Sequence, residues 1–182
     1  TIPQTTTIKN LNQKFELARQ KSHINYGFFF GATNSNYSNL KDIDKHRIPG
    51  IKLFMGASTG NMLVDKYASL LHIFETASSI GLPIMVHCED SETINANMDR
   101  MRKTYGDDPP VILHPAIRSE EACFESSALA TQLAKTFNTL LHIAHISTAR
   151  EIHLLGGNIT GEAVVAHLLF DTNDYTTKGA LI

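Results

Sequence analysis

Apolar residues along this chain fall into two interleaved patterns. Five short runs, at 27–32 (GFFFGA), 51–57 (IKLFMGA), 84–88 (IMVHC), 140–146 (LLHIAHI) and 159–170 (ITGEAVVAHLLF), are rich in β-branched and aromatic residues and predict buried strands. Four of them lack the strict alternation of a half-solvated antiparallel sheet, which points to parallel strands covered on both faces. Between them the period lengthens to that of a helix. Residues 8–21 place Leu11, Phe15 and Ala18 on one stripe, and 64–80 repeat Tyr67, Leu70, Leu71, Phe74 and Ala77 at spacings of three and four. Gly81 and Pro83 end that second helix. A third begins after Ser119, with Glu120 and Glu121 beside its positive N-terminal end. Residues 91–117, polar and carrying the turn GDDPP, read as a long loop between a strand and a helix.

Strand and helix in repetition mean βα units joined by right-handed crossovers, an α/β fold. A closed (β/α)8 barrel needs about 250 residues. This chain has 182 and five predicted strands, so it is either a smaller open sheet or the middle of a barrel, in one domain spanning 1–182.

Composition narrows the function classes. With 42% apolar and 19% charged residues the chain is an ordinary globular domain, large enough to fold without disulfides. Its 16 basic and 18 acidic residues give a net charge of −2, with no basic stripe to displace counterions from phosphates, so nucleic acid is excluded as a partner. No apolar stretch reaches the ~18 residues of a membrane span, and the N-terminal residues lack the pattern of a signal peptide. A cytoplasmic protein with no membrane partner is expected, its Cys88 and Cys123 reduced thiols.

Nine histidines are the unusual feature, several of them at the ends of apolar runs. His87 closes LPIMV and begins HCED, at the strand end where α/β folds place their active sites; it is either a metal ligand or a core histidine bonded to backbone. In LHIAHIST, His142 and His145 are three apart, which places them on opposite faces of a strand and leaves one for a common site. His145 is nearer the strand's end and is favoured, with His142 structural. Lys52 lies inside the run IKLFMGA, where an ammonium must snorkel, pair with a carboxylate, or be converted to a carbamate that can bridge metals. Lys52, His87 and His145 come from three successive strands, as active-site residues of barrels do, rather than from a local pair like a structural zinc site. His167 reads as a core strand residue, and His23, His46, His72 and His153 as surface or packing residues. The GASTG glycines serve a turn, since the Gly-Lys-Ser/Thr of a phosphate loop is absent.

Six segments in order, NYGFFFGATNSN, IKLFMGASTGNMLVD, PIMVHCED, HPAIRSEEAC, LHIAHISTARE and ITGEAVVAHLLF, resemble the cyclic amidohydrolases of dihydroorotase type. The resemblance implies a metal-dependent-hydrolase (β/α)8 TIM barrel, here an incomplete portion of about five strands, with two zinc ions in the complete enzyme. It implies that His87 and His145 bind one metal and that Lys52 is the carbamylated bridging ligand. His114 and Arg118 fall in a loop motif near the substrate region. The family's HxH pair and substrate arginine on the first strand, and the general-base aspartate on the last, have no match in these residues, which look like the central part of such an enzyme. The implied reaction interconverts N-carbamoyl-L-aspartate and L-dihydroorotate, a small-molecule substrate. Dihydropyrimidinase or allantoinase chemistry, and a non-catalytic binding scaffold, are the alternatives. A homodimer is the candidate assembly.

Overall fold

The computed structural model describes residues 2–56, 58 and 60–181. Five parallel strands, β1 (Phe30–Gly31), β2 (Ile51–Phe54), β3 (Ile84–His87), β4 (Leu141–Ile143) and β5 (Ile159–Gly161), pair in the order of the sequence, β1-β2-β3-β4-β5. A doubly wound sheet reverses its strand order part-way; sequential order throughout is that of a barrel wall. Ala57, at the end of the predicted second strand run, lies outside the described residues.

Helices fill the crossovers. α1 (Ile8–Lys21) starts on Thr7, whose hydroxyl accepts from Asn10 N, and precedes β1. α2 (Tyr67–Ile80) links β2 to β3 and ends on Gly81, held at a φ of 72° that a side chain would strain. α3 (Ser91–Tyr105), the single turn α4 (His114–Ile117) and α5 (Glu120–Phe137) link β3 to β4; α6 (Ala149–Ile152) links β4 to β5. α7 (Val165–Leu169) and α8 (Asp174–Lys178) follow β5.

Two sequence expectations are corrected. Residues 91–117 are helical over α3 and α4, because Asp90 caps α3 by accepting from Thr93 N. The stripe of α3 is thin, Ile94, Met98 and Met101 being only half-buried, so its apolar period is weak against a polar background. The run 159–170 is a strand only to Gly161; Val165–Leu169 turn into α7, whose Val165, Leu168 and Leu169 are exposed. His167 rides on that helix, exposed, with Nδ1 at 3.2 Å from the Ile146 carbonyl, and is not a core strand residue.

Register sorts the strand residues into two faces. Ile51, Leu53, Ile84, Val86, Leu141, Ile143 and Ile159 alternate onto one face and are buried, in a cluster with Leu70, Ile73, Phe74 and Ala77 of α2 and Ala130, Leu133 and Ala134 of α5. On the other face Lys52, Met85 and His142 lie side by side in one row, with Phe54 and His87 in the row above. These residues are half-buried, and in a closed barrel this face is the interior.

The helix-covered face should carry the stability. Phe74→Ala, at a fully buried ring, is expected to cost about 3–5 kcal/mol in urea unfolding, and Met85→Ala on the other face less than half of that.

Candidate active site

The site begins at the C-terminal end of β3, where each residue of HCED has a separate task. His87 is the last strand residue and takes the half-buried face. Cys88 turns under α5 and is buried; burial pushes its thiol up to about 12, which leaves it neutral at physiological pH. Glu89, also buried, extends its carboxylate back to His87, with Nε2 at 2.9 Å from Oε2. Asp90 caps α3.

The Glu89 carboxylate is gripped from the far side by Arg118. Nε donates to Oε1 at 2.6 Å and Nη2 donates to Oε2, a two-pronged ion pair. Burial opposes ionisation of Glu89, but the hydrogen bonds from His87 and Arg118 and the guanidinium charge outweigh it and hold its carboxyl at about 2. Hydrogen bonding to Glu89 in turn raises the Arg118 pKa. The turn carrying Arg118, between α4 and α5, is tied to α3: Asn97, buried, donates from Nδ2 to the Ile117 carbonyl at 3.1 Å and to Ser119 Oγ at 3.3 Å.

His145 arrives from β4. The strand ends at Ile143, and His145 sits at a φ of 43°, a left-handed conformation uncommon outside glycine. That bend swings its ring over to His87, with His87 Nδ1 and His145 Nε2 3.1 Å apart. The following loop is locked by Glu151, buried, which accepts from Ser127 Oγ at 2.5 Å, Thr148 N at 3.1 Å and Thr148 Oγ1 at 3.0 Å. Burial first, then the His87 charge, lowers the pKa of His145 and favours its neutral ring.

His142 is in the same row as Lys52 and Met85, so it shares a face with His87 rather than pointing away. The two-residue period holds only while the strand continues, and it stops before His145. His142 contacts Thr160 Oγ1 at 2.9 Å and Glu162 Oε2 at 3.2 Å. Lys52 is half-buried with Nζ 4.9 Å from the Phe54 ring centroid; burial lowers its pKa, opposed by the Glu162 carboxylate, and its own charge is felt at His145.

His87, Glu89, Arg118 and His145 border a cavity of about 850 Å³ that His114 and Tyr175 also line. His114 Nδ1 lies 3.1 Å from the Tyr175 hydroxyl, and burial, then Arg118, lowers its pKa. Glu89 and Tyr175 were not singled out by the sequence. For Glu89 the local sign was an acidic residue directly after an apolar run, close to a strand-terminal histidine, which does not by itself say that its carboxylate turns back to that histidine.

Two imidazole nitrogens on one tetrahedral zinc, each about 2.0–2.1 Å from it, would stand about 3.3 Å apart. The His87 and His145 nitrogens are within a few tenths of an ångström of that spacing, so the pair fits one shared cation. Among the described residues no three His, Cys, Asp or Glu side chains gather into a ready ligand set.

No family model matches the chain. Among curated proteins it is 27% identical to a dihydroorotase of Methanosphaera stadtmanae, over 98% of this chain and 41% of the relative. It is 31% identical to an allantoinase of Streptomyces avermitilis, over 86% of this chain and 34% of the relative. The L-hydantoinase (dihydropyrimidinase) of Arthrobacter aurescens superposes on 98% of this chain and 41% of its own with a TM-score of 0.90, at 23% identity. The chain is a relative of the cyclic amidohydrolases. It spans about two fifths of the length of the first relatives it matches, and its five strands are an incomplete portion of the amidohydrolase barrel. Within that barrel the site described above lies where strand C-termini meet. None of the described helices is long and apolar enough to cross a membrane.

Close packing behind the site gives a direct check. A Cβ on Gly56, just after β2, would meet the Glu89 carbonyl oxygen at 2.5 Å and the Glu89 nitrogen at 2.9 Å, whereas one on Gly27 would meet nothing nearer than 3.8 Å. Gly56→Ala is therefore expected to destabilise by about 1–3 kcal/mol. Gly27→Ala should leave the urea midpoint nearly unchanged.

Proposed function

We propose that this chain is the metal-holding part of a cyclic amide hydrolase of dihydroorotase type. The observation that carries the reading is the convergence of His87 Nδ1 and His145 Nε2 at 3.1 Å, from adjacent strands, on the rim of a cavity large enough for a small ring. The two histidines would hold one divalent cation, zinc being the natural match to paired imidazoles. When bound, such an ion polarises a ring carbonyl as a Lewis acid and lowers the pKa of an attacking water.

Lys52 supports the same reading. Its burial favours loss of a proton from the ammonium to give the neutral amine, whose lone pair can attack carbon dioxide; an N–C bond forms as one C=O π bond opens onto oxygen, a second proton passes from nitrogen to water, and the product is a carbamate anion. That exchange removes a half-buried positive charge from beside His145 and provides a third, anionic ligand. His114 and Arg118 stand on the cavity wall, where a ring substituent would approach. The relatives are named dihydroorotase and allantoinase, and the L-hydantoinase has the same fold, so allantoinase or dihydropyrimidinase chemistry is the second reading.

Metal analysis of protein purified without chelator, alongside His87→Ala and His145→Ala, tests the proposal. The expected result is bound zinc that either substitution removes, with dihydroorotate preferred over allantoin and dihydrouracil in a hydrolysis panel. Zinc retained equally by both variants, or none bound by the parent, would overturn the metal reading. Preference for allantoin or dihydrouracil would overturn the choice of substrate.

A further inference from the structure

We infer that Glu89, clamped by Arg118, is a positioning residue that fixes the tautomer and orientation of His87, so that the Nδ1 lone pair is the one presented towards His145. The inference rests on the proposed role of His87 as a ligand and goes further, assigning work to two residues that would not touch the ion. Both Glu89 oxygens already accept from the Arg118 guanidinium, the geometry of a carboxylate acting as acceptor on each side, so the 2.9 Å contact of Glu89 Oε2 with His87 Nε2 puts the ring proton on Nε2. A neutral imidazole with its proton there carries its lone pair on Nδ1, the atom 3.1 Å from His145 Nε2.

Arg118 makes this choice durable. A lone carboxylate could rotate or pick up a proton and donate in the opposite sense. Two parallel guanidinium hydrogen bonds take one lone pair from each Glu89 oxygen and fix the carboxylate plane, leaving the His87-facing lone pair of Oε2 to accept. The clamp is itself anchored. Asn97 ties the Arg118 turn to α3, and the Glu89 backbone is pressed against Gly56, where even a methyl group has no room. On this account Arg118 Nε and Nη2 are committed to Glu89 and are not free for a substrate carboxylate.

The same arrangement explains why a buried glutamate follows a strand-terminal histidine. Burying a carboxylate is costly unless it is fully paired, and Glu89 is paired on both sides by groups that need it in turn. Outer partners of this kind usually change metal affinity about 10–100-fold when removed.

The test reads tautomer and affinity separately, using Glu89→Gln and Arg118→Met in the full chain. Long-range proton–nitrogen NMR on the metal-free protein should show His87 protonated at Nε2 in the parent. In Glu89→Gln, whose amide can donate as well as accept, the ring should populate both tautomers. Arg118→Met should shift it in the same direction while circular dichroism stays native-like. Cobalt titration followed by absorbance should show affinity about 10–100-fold weaker for Glu89→Gln and a smaller loss for Arg118→Met. If the parent binds no cobalt yet its His87 tautomer depends on Glu89, the brace stands and the metal reading fails. If the parent binds cobalt and both variants keep its tautomer and affinity, the brace is wrong. Should Glu89→Gln fail to fold, Arg118→Met alone decides between these outcomes.

Discussion

A buried carboxylate between a guanidinium and an imidazole is the interaction on which the site depends. Glu89 has almost no access to water, and among the described residues its charge is sustained by Arg118 and His87. Arg118 is far from it in the chain, coming from the turn between α4 and α5 and brought back across the sheet by the helices after β3. What looks like a histidine at a strand end is thus the visible tip of a longer chain of contacts running from Asn97 through Arg118 and Glu89 to His87 and His145. Asn97 holds the turn on either side of Arg118, Arg118 donates to both Glu89 oxygens, and Glu89 in contact with His87 is what would turn a flexible side chain into a ligand with a fixed lone pair.

The sheet provides the frame. Parallel pairing in sequence order brings every strand's C-terminal end to one edge, so residues far apart in the chain become neighbours without any local motif. One face of the strands is covered by α2 and α5 and carries the apolar burial. The other keeps Lys52, Phe54, Met85, His87 and His142 half-buried, which is unusual for a sheet in a small domain but ordinary for the inner wall of a barrel. The division explains how a lysine can sit in the middle of an otherwise apolar strand.

Much of this was legible in the chain. Continuous apolar runs announce parallel strands, Ser119 with its two glutamates announces α5, and strand-end placement picks out His87 and His145 as a pair. Other features are hidden for identifiable physical reasons. α3 has a thin apolar stripe on a polar background, which masks its helical period. The run at 159–170 is largely apolar, and an apolar run of that length does not say whether it is strand or helix; only the first part pairs with β4. The expectation that His142 and His145 point apart assumes a strand that continues, whereas the left-handed bend at His145 breaks the alternation. The Glu89–Arg118 pair is a tertiary contact that no local pattern encodes.

X-ray absorption spectroscopy on cobalt- or zinc-loaded protein tests the central claim most directly, because it reads the atoms around the ion. The account predicts a first shell of nitrogen and oxygen with the multiple-scattering signature of two imidazoles in the parent protein, and no such bound ion in His145→Ala. A shell containing sulfur from Cys88 or Cys123, or one without imidazole scattering, would contradict it.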